Sequence, residues 1–320
     1  MSHPLGTLVA MRHLTPDRRA DALAARQHGV VSFEQAIACG LTPERIRGRV
    51  ASGRWLRLTR GVYAVAATPP SWQQTVMAAC LAAPAAAVAS HLTAAALHGL
   101  WRPPPRPHIT VPRGFSVRLP IATVHRAALA PTDIVRIEGI ACSSPARLLV
   151  ECAALLAGPS LADLVDDVLC AGQATKPGVE AAMARGSRSP GRPGTRALRA
   201  ALAIWTPDMR PGSRPEVRMV RRVVEWGFDR PELQWEVRLP SGQRFVLDAA
   251  WPGDMIGLEY DGRRAHGPRR IGPDEARHDA LEQAGWRIGH VEKPDLLPSE
   301  TRLRDWLRRE FDRRRREVCA

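Results

Sequence analysis

Residues 244–261 read RFVLDAAWPGDMIGLEYD, in which two apolar runs, Phe245 to Ala250 and Met255 to Tyr260, flank the breaker sequence Trp251-Pro252-Gly253-Asp254. Such punctuation between two short apolar runs predicts a β-hairpin. If it is centred between Gly253 and Asp254, Asp248 lies across from Glu259. Side chains alternate along a strand, so Asp261 shares the face of Glu259. Phe245, Leu247 and Ala249, with Ile256, Leu258 and Tyr260, then form the opposite, apolar face. Like charges directly opposed in a sheet are destabilising, so carboxylates gathered there call for a divalent cation among them.

Outward from the hairpin, Ser213-Arg214-Pro215-Glu216 predicts a helix start, with Ser213 as N-cap and Val217, Val220, Val223 and Val224 at helical spacing behind it. Glu216 reads two ways, as the capping-box acid and as a fourth carboxylate brought to the hairpin. Downstream, Pro273-Asp274-Glu275-Ala276-Arg277 opens a helix that ends at Gly285, and residues 286–291 predict a strand. The last helix, Arg302 to Arg316, carries Leu303, Trp306, Leu307 and Phe311 on one face and arginines on the other.

The spaced set Ser213-x-x-Glu216, Asp248, Glu259-Tyr260-Asp261-Gly262, Asp274-x-x-Arg277, Leu281 and Gly285-Trp286 resembles the very-short-patch-repair-like endonuclease domains of the PD-(D/E)XK superfamily. That resemblance implies a mixed β-sheet flanked by helices that uses Mg²⁺ to hydrolyse a DNA phosphodiester. Carried over by position, it makes Asp248 and Glu259 the metal ligands, Glu216 and Asp261 accessory acids, and Arg277 a structural or phosphate-directed group. Asp261 stands where the superfamily usually has Lys, so positive charge or proton transfer falls to Arg263, His266, Arg277 or His278. His266 reads equally well as an exposed loop residue. Mg²⁺ favours one or two carboxylates with phosphate and water, and it acidifies bound water.

The composition fits a polyanion partner. The formal net charge is +14, and only Lys176 and Lys293 among the 46 Lys+Arg are lysine. Such a field attracts nucleic acid in a strongly salt-dependent way, and guanidinium groups suit phosphates and guanine edges. No run approaches the roughly 20 apolar residues of a membrane span, and the first ten residues lack the pattern of a secretory signal, so a cytoplasmic protein with no membrane partner is expected. Six cysteines are scattered singly, without zinc-site spacing, and read as reduced thiols.

The N-terminal stretch predicts a winged helix-turn-helix. Pro16 to His28 is a first helix, Ser32-x-x-Gln35 caps a short second one, and Thr42-Pro43 starts a third that runs to Ala51, with Ile46 and Val50 inward. Residues 54–58 and 61–65 make the wing. A recognition helix needs an apolar inner face and a basic outer one, which nominates Arg45, Arg47, Arg49, Arg54, Arg57 and Arg60 as DNA contacts. In Gln27-x-Gly29-Val30-Val31, Gly40-Leu41, Ile46, Gly53 and Gly61-Val62-Tyr63 this segment resembles the N-terminal domain of AbiEi-type antitoxins. The resemblance implies operator binding, repression of the chain's own operon, and a cognate toxin as partner. A homodimer on a palindromic duplex is the default for such a module.

Between these parts, Trp72 to Leu81 and Ala85 to Leu100 read as helices, the second carrying a Ser90-His91-x-x-Ala94-Ala95 phrase like that of the antitoxins. Residues 108–111, 122–125 and 134–142 read as strands, before a helix over residues 146–156. His91, His98, His108 and His125 fall on separate elements without ligand-pair spacing, so they read as structural or surface residues. The organisation expected is a winged helix over 1–68, an AbiEi-like α+β domain over 69–186, a Gly/Pro linker over 187–194, and a PD-(D/E)XK-like domain over 195–320. The fold class is thus mixed α/β and α+β. Two functions follow: a Mg²⁺-dependent DNA endonuclease or nickase docked by the winged helix, and a repressor or antitoxin whose nuclease fold is inactive.

Overall fold

The computed structural model describes residues 14–83, 86–186, 194–206, 213–261, 271–297 and 299–319. The chain is mixed α/β and divides into two compact units, one running up to Val168 with Gln173–Arg199, the other made of Leu169–Gly172 with Ala200 onward. The linker predicted over 187–194 lies outside the described residues except for Gly194, and His266 and Arg263 lie outside them as well. Among the described residues no helix is long and apolar enough to cross a membrane.

The first unit opens with α1 (Pro16–Ala25), β1 (Val30–Ser32), α2 (Phe33–Ala38), α3 (Pro43–Ala51), β2 (Trp55–Thr59) and β3 (Val62–Val65), with the strands ordered β1-β3-β2. Its starts are the ones the sequence predicts. Thr15 and Thr42 accept from the backbone N–H three residues on, and Ser32 with Gln35 closes a reciprocal capping box. Ile46, Trp55, Tyr63, Val31 and Leu41 meet the alanines of α1 in one buried cluster. Gly29 sits at φ +80 with Thr68 against it, so a side chain there would be both strained and crowded.

The unit continues through α4 (Trp72–Leu81), β4 (Val88–Ala89), α5 (His91–Leu97), β5 (His108–Val111), β6 (Thr123–Arg126), β7 (Ile134–Ile137), β8 (Ile140–Ser143), α6 (Pro145–Cys152), α7 (Gly158–Cys170) and α8 (Lys176–Gly186). The sheet order is β6-β5-β4-β8-β7, with β6–β5 and β4–β8 parallel. The helix expected from Ala85 is corrected here, because Val88 and Ala89 pair with β5 and the helix begins only after Ser90. Strand pairing satisfies those backbone groups in a way a solitary helical turn would not. Gln74 donates to the His28 carbonyl, which ties the winged helix to this sheet within the same unit. Beneath the sheet Arg147, 1% exposed, pairs with Glu151 at 2.9 Å and stands 3.9 Å from Asp133, which Arg185 also reaches at 2.7 Å.

The second unit holds α9 (Thr195–Ala203), of which only the end from Ala200 belongs to it, α10 (Arg214–Glu225), β9 (Glu232–Arg238), β10 (Arg244–Trp251), β11 (Ile256–Tyr260), α11 (Ile271–Gln283), β12 (Arg287–Val291) and α12 (Arg302–Cys319). The sheet is ordered β12-β11-β10-β9, antiparallel except for β11–β12. The hairpin has the expected register, Ala249 opposite Leu258 and Trp251 opposite Ile256, with Met255 left-handed at φ 51 in the turn. β9 is absent from the sequence reading, although Leu233, Trp235 and Val237 alternate with polar residues.

One feature of the hairpin departs from expectation. Ala249, Ile256 and Leu258 pack with Met219, Val223, Leu303 and Leu307, whereas Leu247 and Phe245 belong to the other cluster, with Val237, Ala250, Leu281, Trp286 and Ile288. The single apolar face therefore changes sides between Leu247 and Ala249. Gln234 of β9, opposite the change, sits at φ 51, and the Gln234–Asp248 pair is missing from an otherwise regular ladder. A left-handed residue in a strand offsets the pleat, as in a bulge, and re-aims the side chains beyond it. Gly257 fits the new packing, since a Cβ there would stand 2.6 Å from Leu247.

Candidate functional site

Two of the six nominated arginines do not present themselves as expected. Arg49 is 8% exposed; it is ion-paired to Asp17, stands 3.4 Å from Asp21, and lies over the Trp55 ring at 4.9 Å. Arg45 is half exposed but bonded to Asp17 at 2.5 Å. Their shared helical face looks toward α1, not outward. An arginine held by two carboxylates and an aromatic ring fastens α3 to α1 and β2, and Arg49 leaves the list of DNA contacts on that ground.

Arg47 is the outward residue of α3, its side chain 74% exposed and linked only to the equally open Glu44. Arg54, Arg57 and Arg60 are exposed on and beside the wing. Between α3 and β2 lies a cleft of about 410 Å³ lined by Phe33, Ile46, Arg47, Val50, Arg57 and Tyr63 among others. Leu56 of β2 is 51% exposed. The surface thus combines exposed cations, suited to phosphates, with apolar groups suited to sugars and thymine methyls.

In the second unit the acidic residues arrive from three elements. Glu216 of α10 accepts from Gln234 Nε2 at 3.0 Å and from Ser213 Oγ at 2.8 Å. Ser213 therefore holds the Glu216 side chain and makes no side-chain cap bond to the helix. Asp248 receives the same Gln234 amide at 3.4 Å and, through its other oxygen, the Tyr260 N–H at 2.7 Å. The β10–β11 ladder stops at Ala249–Leu258, and the Asp248 carboxylate takes the next strand N–H in place of a carbonyl. Glu259 is held by Arg277 at 2.6 Å; Arg277 also donates to the Val246 carbonyl and stacks over Phe245 at 5.6 Å. Asp261 follows the last residue of β11 and places its N–H on the Val291 carbonyl.

Glu216 and Asp248 are thus joined through one amide, while Glu259 is matched by a guanidinium. Gln234 and Arg277 set N–H donors against these carboxylates. Gln234 is a member of this centre that the sequence reading left out, and Ser213, expected as the N-cap, joins it through the Glu216 carboxylate. Leu-Gln-Trp in an alternating run was the available signal for a polar side chain directed to the same place as Asp248.

Three of the four histidines that the sequence sets on separate elements come together in space. His91, His108 and His125, on α5, β5 and β6, form one stack with centroids 3.6 Å apart for His91–His125, 5.2 Å for His108–His125 and 5.8 Å for His91–His108. Parallel pairing of β5 with β6 sets Thr110 beside His125, and α5 starts where β4 ends, so strand order gathers what the sequence scatters. Burial, helped by the neighbouring His125, pushes His108 down to about 4. His98 stands apart, with Nε2 on the Ser143 carbonyl at 3.0 Å.

Residues 18–66 match the family described as "Transcriptional regulator, AbiEi antitoxin", the segment that carries α1 to β3. Two uncharacterised proteins of Mycobacterium tuberculosis, from strains CDC 1551 / Oshkosh and ATCC 25618 / H37Rv, are each 27% identical over 277 residues, covering 86% of this chain and 99% of theirs. The N-terminal segment is therefore similar to antitoxin-type regulators, and the likeness to the mycobacterial proteins extends through most of the chain.

Proposed function

We propose that this protein is a duplex-DNA-binding transcriptional regulator of the AbiEi antitoxin type, with α3 as the recognition helix and β2–β3 as the wing. The supporting observation is the pairing of outward Arg47 with the exposed wing arginines Arg54, Arg57 and Arg60, in the segment that matches the regulator family. Arg45 and Arg49 act behind that surface by fixing α3 against α1. On this reading the chain works in the cytoplasm, docks as a homodimer on a palindromic operator, and has a cognate toxin as partner. Footprinting on the DNA upstream of its own gene, with and without EDTA, tests it. Metal-independent protection is expected, with affinity falling steeply as salt rises. Lack of any protected site at low salt would sink the proposal.

A second reading, a Mg²⁺-dependent endonuclease or nickase, is favoured by the convergence of Glu216 and Asp248 on Gln234 where the hairpin ladder ends. Among the described residues no three His, Cys, Asp or Glu side chains stand as a metal-binding group. The hard-oxygen pair Glu216 and Asp248 nevertheless suits Mg²⁺, which often takes only one or two protein carboxylates. When bound, Mg²⁺ would supply an acidified water and neutralise phosphate charge. Asp248 and Glu216 would hold it, Glu259 and Asp261 would complete the acidic rim, and Arg277 would orient Glu259. Plasmid nicking in Mg²⁺, abolished in Asp248→Asn, is the outcome this reading requires.

A further inference from the structure

The larger sheet of the first unit stops at β6, which pairs with β5 on one side and forms the outer strand on the other. Thr123 and Ala127 donate their N–H groups to the Pro107 and Val111 carbonyls, so the alternate residues Val124 and Arg126 turn N–H and C=O to the open edge. Such a row of backbone donors and acceptors is a template for one more strand. At this edge lies a cleft of about 570 Å³, lined by Arg106, Arg118 and Arg126 with Val117, Leu119 and Val124 among others. No described residue that lines it is acidic. Arg106 donates to the Leu119 and Pro120 carbonyls at 3.1 and 2.6 Å, and Arg126 to the Phe115 carbonyl at 3.0 Å. These bonds fix two guanidinium groups without cancelling their charge, and Arg118 is exposed. Among the described residues none of the three forms an ion pair, whereas Arg45, Arg49, Arg147 and Arg185 of the same unit are matched by carboxylates.

We propose that this edge docks an extended acidic segment of a partner polypeptide, which adds a strand to β6. The segment supplies backbone groups to Val124 and Arg126, apolar side chains to Val117, Leu119 and Val124, and carboxylates to the three arginines. Main-chain bonds give such a contact its affinity, and the charge selects the sequence that is taken. A nucleic acid fits less well, because a phosphate backbone accepts hydrogen bonds but donates none, which leaves the edge carbonyls unmet. A second copy of the chain paired edge to edge would set arginine against arginine, and like charges opposed across strands are destabilising. The site uses none of the winged-helix arginines or the acids of the four-stranded sheet, so it is independent of both readings of the DNA-directed function.

The test titrates the full chain with a labelled peptide of about six residues, the length of an ordinary strand, that alternates Val and Glu. Fluorescence polarisation should show saturable binding, and replacing each Glu by Lys should abolish it. N-methylation of one alternate set of peptide nitrogens should abolish binding too, while methylation of the other set should not, because a strand bonds its neighbour through every second residue. The double variant Arg118→Glu/Arg126→Glu should weaken binding at least about tenfold. Arg136→Glu, exposed on β7 at the far edge of the same sheet, should leave it unchanged. Amide spectra of the unmutated protein guard against misfolded variants: the Val124 and Arg126 N–H groups should shift and gain protection from exchange when the peptide is added. Absence of binding in the unmutated chain, equal affinity in the double variant, equal binding of the Lys peptide, or unmoved Val124 and Arg126 amides would each overturn the site. Displacement of the peptide by an equal concentration of oligothymidylate would reassign the arginines to nucleic acid and overturn it as well.

Discussion

The winged helix and the four-stranded sheet solve opposite charge problems. In the first, Arg45 and Arg49 lean on Asp17 of the adjacent helix, which leaves Arg47 and the wing arginines to face outward. In the second, Glu216 and Asp248 share the amide of Gln234, and Glu259 takes Arg277. The winged helix therefore separates structural cations from available ones along a single turn-by-turn register. The sheet concentrates its acids at a break in register and restrains them with partners that come from other strands and helices.

The sharpest way to break this contrast is to remove the structural arginine. Arg49→Ala leaves Asp17 with Arg45 alone, removes the partner of Asp21 and uncovers Trp55, so it should destabilise the first unit by about 2 kcal/mol, read by urea unfolding. Arg47→Ala should change stability by no more than about 0.5 kcal/mol, because its side chain is 74% exposed. It should instead weaken operator binding and reduce the salt slope by about one. If the two variants exchanged behaviours, the division of labour on α3 would be wrong.

How far these assignments could be read from sequence depends on the range of the forces involved. Caps at Ser32 and Thr42, the Pro43 start and the hairpin turn after Trp251 act within a few residues and were legible. The helical spacing of Arg45 and Arg49 was legible too, but the identity of the face was not, since it depends on Asp17 some thirty positions earlier. The turn and the alternation along residues 245–260 gave the hairpin register, Ala249 opposite Leu258, although the ladder stops before Asp248 and Glu259. They failed to show the reversal at Asp248, which is imposed by a left-handed residue in a neighbouring strand. The histidine stack was invisible for the same reason, because parallel pairing of β5 and β6 has no local signature.

Acid sharpens the comparison from the other side. Burial of Asp295 works to raise its carboxyl, but Arg302 and the Glu292 N–H outweigh burial and hold it below the usual carboxylate range. The geometry agrees, with Arg302 Nε at 2.7 Å and the Glu292 N–H at 2.8 Å. A depressed carboxyl stabilises the fold above its unfolded value and loses that contribution as pH falls below about 4. Asp295→Asn should cost about 2 kcal/mol near neutrality, and its unfolding should then be flatter than that of the parent chain across the acid range. Parallel acid profiles for the two chains would remove Asp295 from the account.

The smallest effect bears on the break itself. Gln234 combines a left-handed backbone with an amide on two carboxylates, so Gln234→Ala removes the amide and keeps the strain, whereas Gln234→Gly removes both. Both variants leave Glu216 and Asp248 without their shared donor and should be less stable than the parent. The glycine variant should exceed the alanine variant by about 1 kcal/mol, the usual difference at a positive φ. Equal stabilities would mean that the strand relaxes once the amide is gone, so that the carboxylates hold Gln234 in its unusual conformation and the backbone does not impose it. A stability deficit in Gln234→Gly that Mg²⁺ selectively repairs would instead identify the amide as standing where a cation can bind, and would favour the nuclease reading over the regulator alone.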